Sequence, residues 1–169
     1  MAKYSKENLF YNIKVDIFKL LADSRHLSNA ETLNIYNSTT LFMIVTEMKP
    51  LSTIKKELKS GDRICLVSCN TCARKCETGG MKAMGDLAEK LKDEGYSVVG
   101  QTLVGMPCGL NQIDELMIGG NVAVVLGCDA SIHALKTLYP EIKIIPALNT
   151  VGLGSWDEEG HVQLIRKFE

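Results

Sequence analysis

Three cysteines within one short run, Cys69, Cys72 and Cys76, form a C-x-x-C-x-x-x-C pattern. Two more, Cys108 and Cys128, stand alone further on, and the sixth, Cys65, lies inside an apolar stretch. Thiolates are ligands for soft and borderline metals, and three from one loop plus one from elsewhere is a common way to hold the four irons of a cubane. Structural zinc more often takes paired C-x-x-C knuckles from two separate turns, and no second pair is present. The pattern therefore points to a [4Fe–4S] cluster, with zinc and metal-free thiols as the alternatives. A thioredoxin-like reading of Cys69 and Cys72 leaves Cys76, Cys108 and Cys128 unexplained.

The fourth ligand is open between two residues. Cys108 sits between Pro107 and Gly109, a stiff step followed by a permissive one, which suits a loop held near a metal. Cys128 stands beside Asp129 at the start of an expected helix, where amide dipoles favour a thiolate. The frame around Cys108 favours that residue. Cys65 reads as core, as free cysteines often do.

These thiols need a scaffold, and the chain supplies one from residue 62 onward. Arg63–Ser68 is a continuous apolar run of the kind a parallel sheet buries on both faces. A helix follows from Met81 to Glu94, with Met81, Met84, Leu87, Ala88 and Leu91 on one side and Gly95 as its left-handed cap. Strands at 97–103, 121–126 and 143–145 alternate with helices near 112–118 and 130–138. Alternation of this sort predicts right-handed crossovers and a doubly wound, mostly parallel sheet of four or more strands, flavodoxin- or Rossmann-like. A 2-1-3-4 order would place strands two and three beside strand one. All five candidate ligands would then lie near carboxyl ends of strands, where open α/β sheets build their sites.

Upstream, residues 5–23 place Leu9, Ile13, Ile17, Leu20 and Leu21 on one helical face, and Ser28 can cap a short helix through Tyr36. Leu41–Val45 reads as a strand or packing segment, and Pro50 opens a helix over 51–58. The expected division is a helical N-terminal extension, 1–42, before an α/β metal-binding domain, 43–169.

Other residues have more ordinary readings. Gly79 and Gly80, ahead of a helix, could receive an anion; the favoured reading is that they let backbone turn tightly beside the cysteines. Arg74 and Lys75 read as solvated charge, His133 as half-buried packing, and Asn149 and Thr150 as rim residues that cap a loop or line a pocket.

Composition narrows the partners. Nineteen basic and twenty acidic side chains give a net charge of −1 without a long single-sign run, so neither a nucleic-acid groove nor an anionic-membrane surface is expected. The polar N-terminus does not read as a secretory signal, and no apolar stretch approaches the ~20 residues of a membrane helix. Clustered cysteines suit a reducing compartment, and the expected location is the cytoplasm.

Ile64-Cys-Leu-Val-Ser-Cys-Asn-Thr-Cys-Ala-Arg-Lys-Cys-Glu-Thr-Gly-Gly80, with Met106-Pro-Cys108, Leu126-Gly-Cys128 and Pro146-Ala-Leu-Asn-Thr150, resembles the small cysteine-rich subunit of acetogen-type methylenetetrahydrofolate reductase, in truncated form. The opening Met43-Ile-Val-Thr-Glu-Met-Lys-Pro50 is similar to how those subunits begin, so the likeness runs over about residues 43–154. Members of that family usually continue into a second cysteine-rich section, whereas no cysteine follows Cys128 here, and about 42 further residues stand at the front. The resemblance implies an iron–sulfur subunit, not catalytic by itself, that passes electrons to a flavoprotein in one-carbon metabolism. It places Cys69, Cys72, Cys76, Cys108 and Cys128 in the cluster region. A flavin- or corrinoid-containing subunit, or a second copy of the chain, is the expected partner. A zinc-binding scaffold and a stand-alone enzyme with an open-site cluster are the rival readings.

Overall fold

A computed structural model describes residues 41–114, 116–157 and 159–168. The helices read at 5–23 and 28–36 lie outside the described residues. Four parallel strands form the centre: β2 (Arg63–Cys69), β3 (Ser97–Val104), β4 (Val122–Leu126) and β5 (Lys143–Pro146), in the order β3-β2-β4-β5. That is the expected 2-1-3-4 order. β2 and β4 lie inside the sheet and are buried along almost their whole length, which is why their sequences are unbroken apolar runs. β3 is an edge strand, and its burial alternates as one covered face requires.

Helices cover both faces. On one side α1 (Leu51–Glu57) and α3 (Gly80–Asp93) set Ile54, Met84, Leu87 and Leu91 against Ile64, Leu66, Val124 and Ile145. On the other, α4 (Asp129–Leu138) sets Ile132 and Leu135 against Val67, Ala123, Val125 and Ile144. Each large side chain so buried contributes about 1.5–3 kcal/mol relative to exposure. Met81, expected on the buried face of α3, is instead 63% exposed in its first turn. Gly85, in the middle of α3, has open space where a Cβ would stand and a φ outside the left-handed region. Gly85→Ala should therefore raise the stability by about 0.5–1 kcal/mol in urea unfolding, by removing backbone entropy from the unfolded chain; a loss of stability would mean that the helix surface there is covered.

A second sheet, absent from the sequence-based expectation, accompanies the first. β1 (Leu41–Met48), β6 (Leu148–Trp156) and β7 (Val162–Lys167) pair antiparallel in the order β1-β6-β7. Glycines hid β6. A Cβ at Gly152 would come 2.0 Å from the Arg166 carbonyl oxygen, and one at Gly154 would come 2.5 Å from a Val45 methyl. Close strand approach demands glycine there, and glycine removes the alternation that marks a strand. The helix expected near 112–118 shrinks to a 3-10 turn, Leu110–Gln112. Its apolar residues serve as separate anchors rather than one helical face, Ile113 fully buried in the core and Leu116 and Ile118 packed against it. Among the described residues no helix is long and apolar enough to cross a membrane.

Candidate metal centre

β2 and β4 run side by side, Ser68 opposite Leu126, so Cys69 and Cys128 emerge at the same rim of the sheet. The connection leaving β2 crosses one face through α3, while that leaving β4 crosses the other through α4. The crevice between these two strands is therefore the switch point of the sheet, the place where open α/β folds bind their ligands. Cys128 stands one residue before α4, and its Sγ lies 3.7 Å from the Ser131 hydroxyl. The Asp129 N–H donates to the Thr150 hydroxyl at 2.9 Å, so Thr150 caps the helix start from β6. Asn149 is exposed, and so is His133, which the sequence had suggested was half-buried.

The loop between Cys69 and Gly79 is a closed turn. Thr71 Oγ1 donates to the Gly105 carbonyl at 2.5 Å and the Asn70 N–H to the Val104 carbonyl at 2.8 Å, tying the loop to the end of β3. A single helical turn, α2 (Cys72–Lys75), follows and places Cys72 and Cys76 at its two ends. The Thr78 and Gly79 N–H groups both donate to the Ala73 carbonyl at 2.9 Å, and the Glu77 N–H donates to Arg74 at 3.0 Å. With Glu77 at φ 58°, these bonds make a Schellman ending in which glutamate stands where glycine is usual. The chain then returns to its start, because a Cβ on Gly79 would lie 2.8 Å from the Cys69 carbonyl oxygen and 2.6 Å from the Ala73 Cβ. Gly79 thus has the role of permitting close backbone approach. Gly80, at φ 78°, turns into α3 against the stem of Arg74.

The unforeseen sheet forms a wall of this site. Edge strand β1 offers its backbone at Ile44, whose carbonyl lies 3.8 Å from Cys76 Sγ and accepts from it. Thr46 and Thr78 share a hydroxyl hydrogen bond of 2.6 Å, fastening β1 to the loop. Lys75 sits 5.0 Å above the ring of Trp156 in β6, a cation–π contact from the thiol-bearing turn. Arg74 and Lys75 are exposed, as solvated charge should be. Ile44, Thr46, Thr78 and Trp156 escaped the sequence reading; the Asp157–Gly160 turn, a legible hairpin signal, could have revealed the wall.

Burial pushes Cys72 above the ordinary thiol range; a backbone hydrogen bond from Ile44 pulls it down, and Cys69, Cys128 and Cys76 push it up again. Partial desolvation by the surrounding loop, aided by Cys128, Cys69 and Cys72, also raises Cys108, although the residue stays exposed to solvent. The neighbours named for these two thiols all belong to the set selected by spacing, whereas Cys65 is enclosed within the sheet, its Sγ 3.3 Å from where a Gly100 Cβ would stand. Cys69 and Cys128 are buried, Cys72 and Cys76 half-buried, and Cys108 exposed. No three cysteine sulfurs among the described residues lie within 4.8 Å of one another.

The raised thiols predict a pH dependence. Cys72 and Cys108 hold their protons at neutral pH, and a metal must displace them to bind thiolate. Metal affinity of the cluster-free protein should rise between about pH 6.5 and pH 8.5, by as much as tenfold per unit for each proton displaced. Chelator competition measures this, and a flat profile would mean that the thiols are already ionised.

Aspartate and histidine also meet in the β6–β7 turn, where the His161 N–H donates to Asp157 at 2.8 Å and the His161 ring contacts Asp157 at 3.2 Å. This exposed group shapes the hairpin and stands apart from the cysteine sequence run. Comparisons with protein-family models, with curated proteins and with solved structures return no match for the chain.

Proposed function

We propose that this chain is an iron–sulfur electron-transfer or accessory subunit of an oxidoreductase. In this reading Cys69, Cys72 and Cys76 hold a [4Fe–4S] cluster with a fourth thiolate from Cys108 or Cys128. The single observation that supports it most is that β2 and β4 lie side by side and end together at the switch point, Cys69 closing β2 and Cys128 following β4, with Cys72 and Cys76 on the loop after β2 and Cys108 a few residues past neighbouring β3. A cluster bound there supplies one-electron transfer. The protein's own groups exclude water around Cys69 and Cys128, and the Ile44 backbone contributes a hydrogen bond toward Cys72. Hydrogen bonds to cluster sulfurs and burial are the two means by which a protein sets such a potential.

A lone cluster requires a donor and an acceptor close by. The partner in this reading is a flavin- or corrinoid-containing subunit, and the setting is cytoplasmic one-carbon metabolism, on the resemblance of the cysteine-bearing segments. The test is anaerobic purification followed by metal and sulfide analysis. Iron and acid-labile sulfide in near-equal amounts, with broad visible absorption that dithionite bleaches, is the expected result. Stoichiometric zinc without sulfide would replace the redox reading with a structural one. Co-purification of a flavin- or corrinoid-bearing protein, lost when residues 1–40 are deleted while the visible absorption stays, is expected in turn.

A further inference from the structure

Beside the thiol crevice, on the α3 side of the sheet, lies a cleft of about 760 Å³ that the cysteine chemistry does not use. Its volume falls in the range of pockets that take small molecules or cofactors, roughly 300–1,000 Å³. Lys49, Arg74, Lys82 and Lys90 line it, against only Glu77 and Asp86. Four positive and two negative side chains leave a local charge of +2, in a chain whose net charge is −1. Among the described residues none of the four cations forms an ion pair; the pairs present are Lys55 with Glu94 and His161 with Asp157 and Glu159. Unpaired cations around a concave surface raise the local concentration of anions, and the low-dielectric wall focuses their field.

The interior of the cleft is different in character. Leu51, Leu87 and Leu103 line it, Leu87 almost fully buried, and Met48 and Met81 add thioether surface at its edge. Cations together with an apolar lining suit a ligand with a charged end and an apolar body. A bare inorganic anion would leave the leucines uncovered, and a neutral apolar molecule would leave the lysines unused.

We propose that this cleft binds a phosphate ester carrying an aromatic body, of the mononucleotide class, with the phosphate among Lys49, Arg74 and Lys82 and the ring against Leu51, Leu87 and Leu103. The site stands independently of the cluster reading, because it uses none of the cysteines. It nevertheless shares the loop that bears them: Asn70 and Arg74 line the cleft and lie within the Cys69–Cys76 run. The stem of Arg74 passes close to Gly80, where an added Cβ would stand 3.1 Å from the Arg74 Cγ. A ligand in the cleft would therefore touch the same turn that carries Cys72 and Cys76.

Isothermal titration of the full chain with adenosine monophosphate, flavin mononucleotide and inorganic pyrophosphate tests the assignment. Saturable binding of at least one mononucleotide below about 1 mM, with pyrophosphate at least about tenfold weaker, is the expected result. Lys49→Glu combined with Lys82→Glu should weaken that binding by about tenfold or more, and added salt should weaken it progressively. Lys82 is exposed and Lys49 half-buried, and neither forms an ion pair among the described residues, so the variant should keep its thermal midpoint and the metal content of the parent protein. Absence of saturable binding by every mononucleotide would overturn the proposal. So would binding unchanged by the double charge reversal, or pyrophosphate binding as tightly as the nucleotides. Because metal content is measured on the same samples, loss of the cluster reading and loss of this one are separate results.

Discussion

Serine at Cys72 should abolish metal retention while leaving the protein folded. Cys72 stands at the start of α2, near Cys69, Cys76 and Cys128, with β1 alongside. An alcohol is a far poorer ligand than a thiolate for soft and borderline metals. The same outcome is expected for Cys69→Ser and Cys76→Ser, since each is one of few thiolates in reach. Cys65→Ser is the contrasting case. The residue is 1% exposed and its sulfur lies 3.9 Å from the Leu66 carbonyl, so a hydroxyl there would be left poorly satisfied at a cost of about 1–3 kcal/mol. Metal content and urea midpoints of the four variants give the answer. Equal metal loss from Cys65→Ser and Cys72→Ser, without unfolding of either, would show that Cys65 belongs to the site. Cys108→Ser and Cys128→Ser then identify the fourth ligand, and a full cluster in both would require a ligand other than cysteine.

Gly79→Val should have the next largest effect, although it removes no ligand. A Cβ at this position would meet the Cys69 carbonyl oxygen at 2.8 Å and the Ala73 Cβ at 2.6 Å. Neither neighbour can swing away: one is backbone, and the other is the first atom of the shortest side chain. The loop must open, and with it the spacing of Cys69, Cys72 and Cys76. The expected loss of stability is about 1–3 kcal/mol, as for other overpacked sites, together with most of the bound metal. Urea unfolding and metal analysis, side by side, provide the check. A variant with the parent's metal content and midpoint would mean that the loop is slack, and that Gly79 is there for a ligand rather than for packing.

Local sequence was enough to place most of the central sheet. Arg63–Ser68 and Val122–Leu126 could be read because strands buried on both faces admit only apolar residues. The amphipathic spacing of Met84, Leu87, Ala88 and Leu91, with Gly95 at φ 83°, announced α3 and its end. Right-handed crossovers then left few possible strand orders, and 2-1-3-4 was among them. Given that order, the spacing of Cys69, Cys108 and Cys128 relative to their strands already implied a shared rim. That Gly79 serves close packing also followed from its neighbours, since a glycine pair beside a thiol loop has few other uses.

The second sheet was decided by tertiary structure alone. β6 contacts β1 across more than a hundred residues of chain, and its glycines at 152 and 154 fit the Arg166 backbone and the Val45 side chain, not any local preference. The same is true of the site's wall: the Ile44 backbone, the Thr46–Thr78 hydrogen bond and Trp156 beside Lys75 join residues distant in sequence. No periodicity encodes such contacts, because a backbone carbonyl on an edge strand is available to any neighbour that the fold brings near. The expected helix at 112–118 failed for the complementary reason, its apolar residues being used as separate anchors, Ile113 foremost, rather than as one helical face. Sequence by itself singled out the cysteines as candidate metal ligands and determined which strands carry them; only the packing of β1 and β6 decided what surrounds those thiols, because solvent exclusion and backbone hydrogen bonding depend on neighbours far away along the chain.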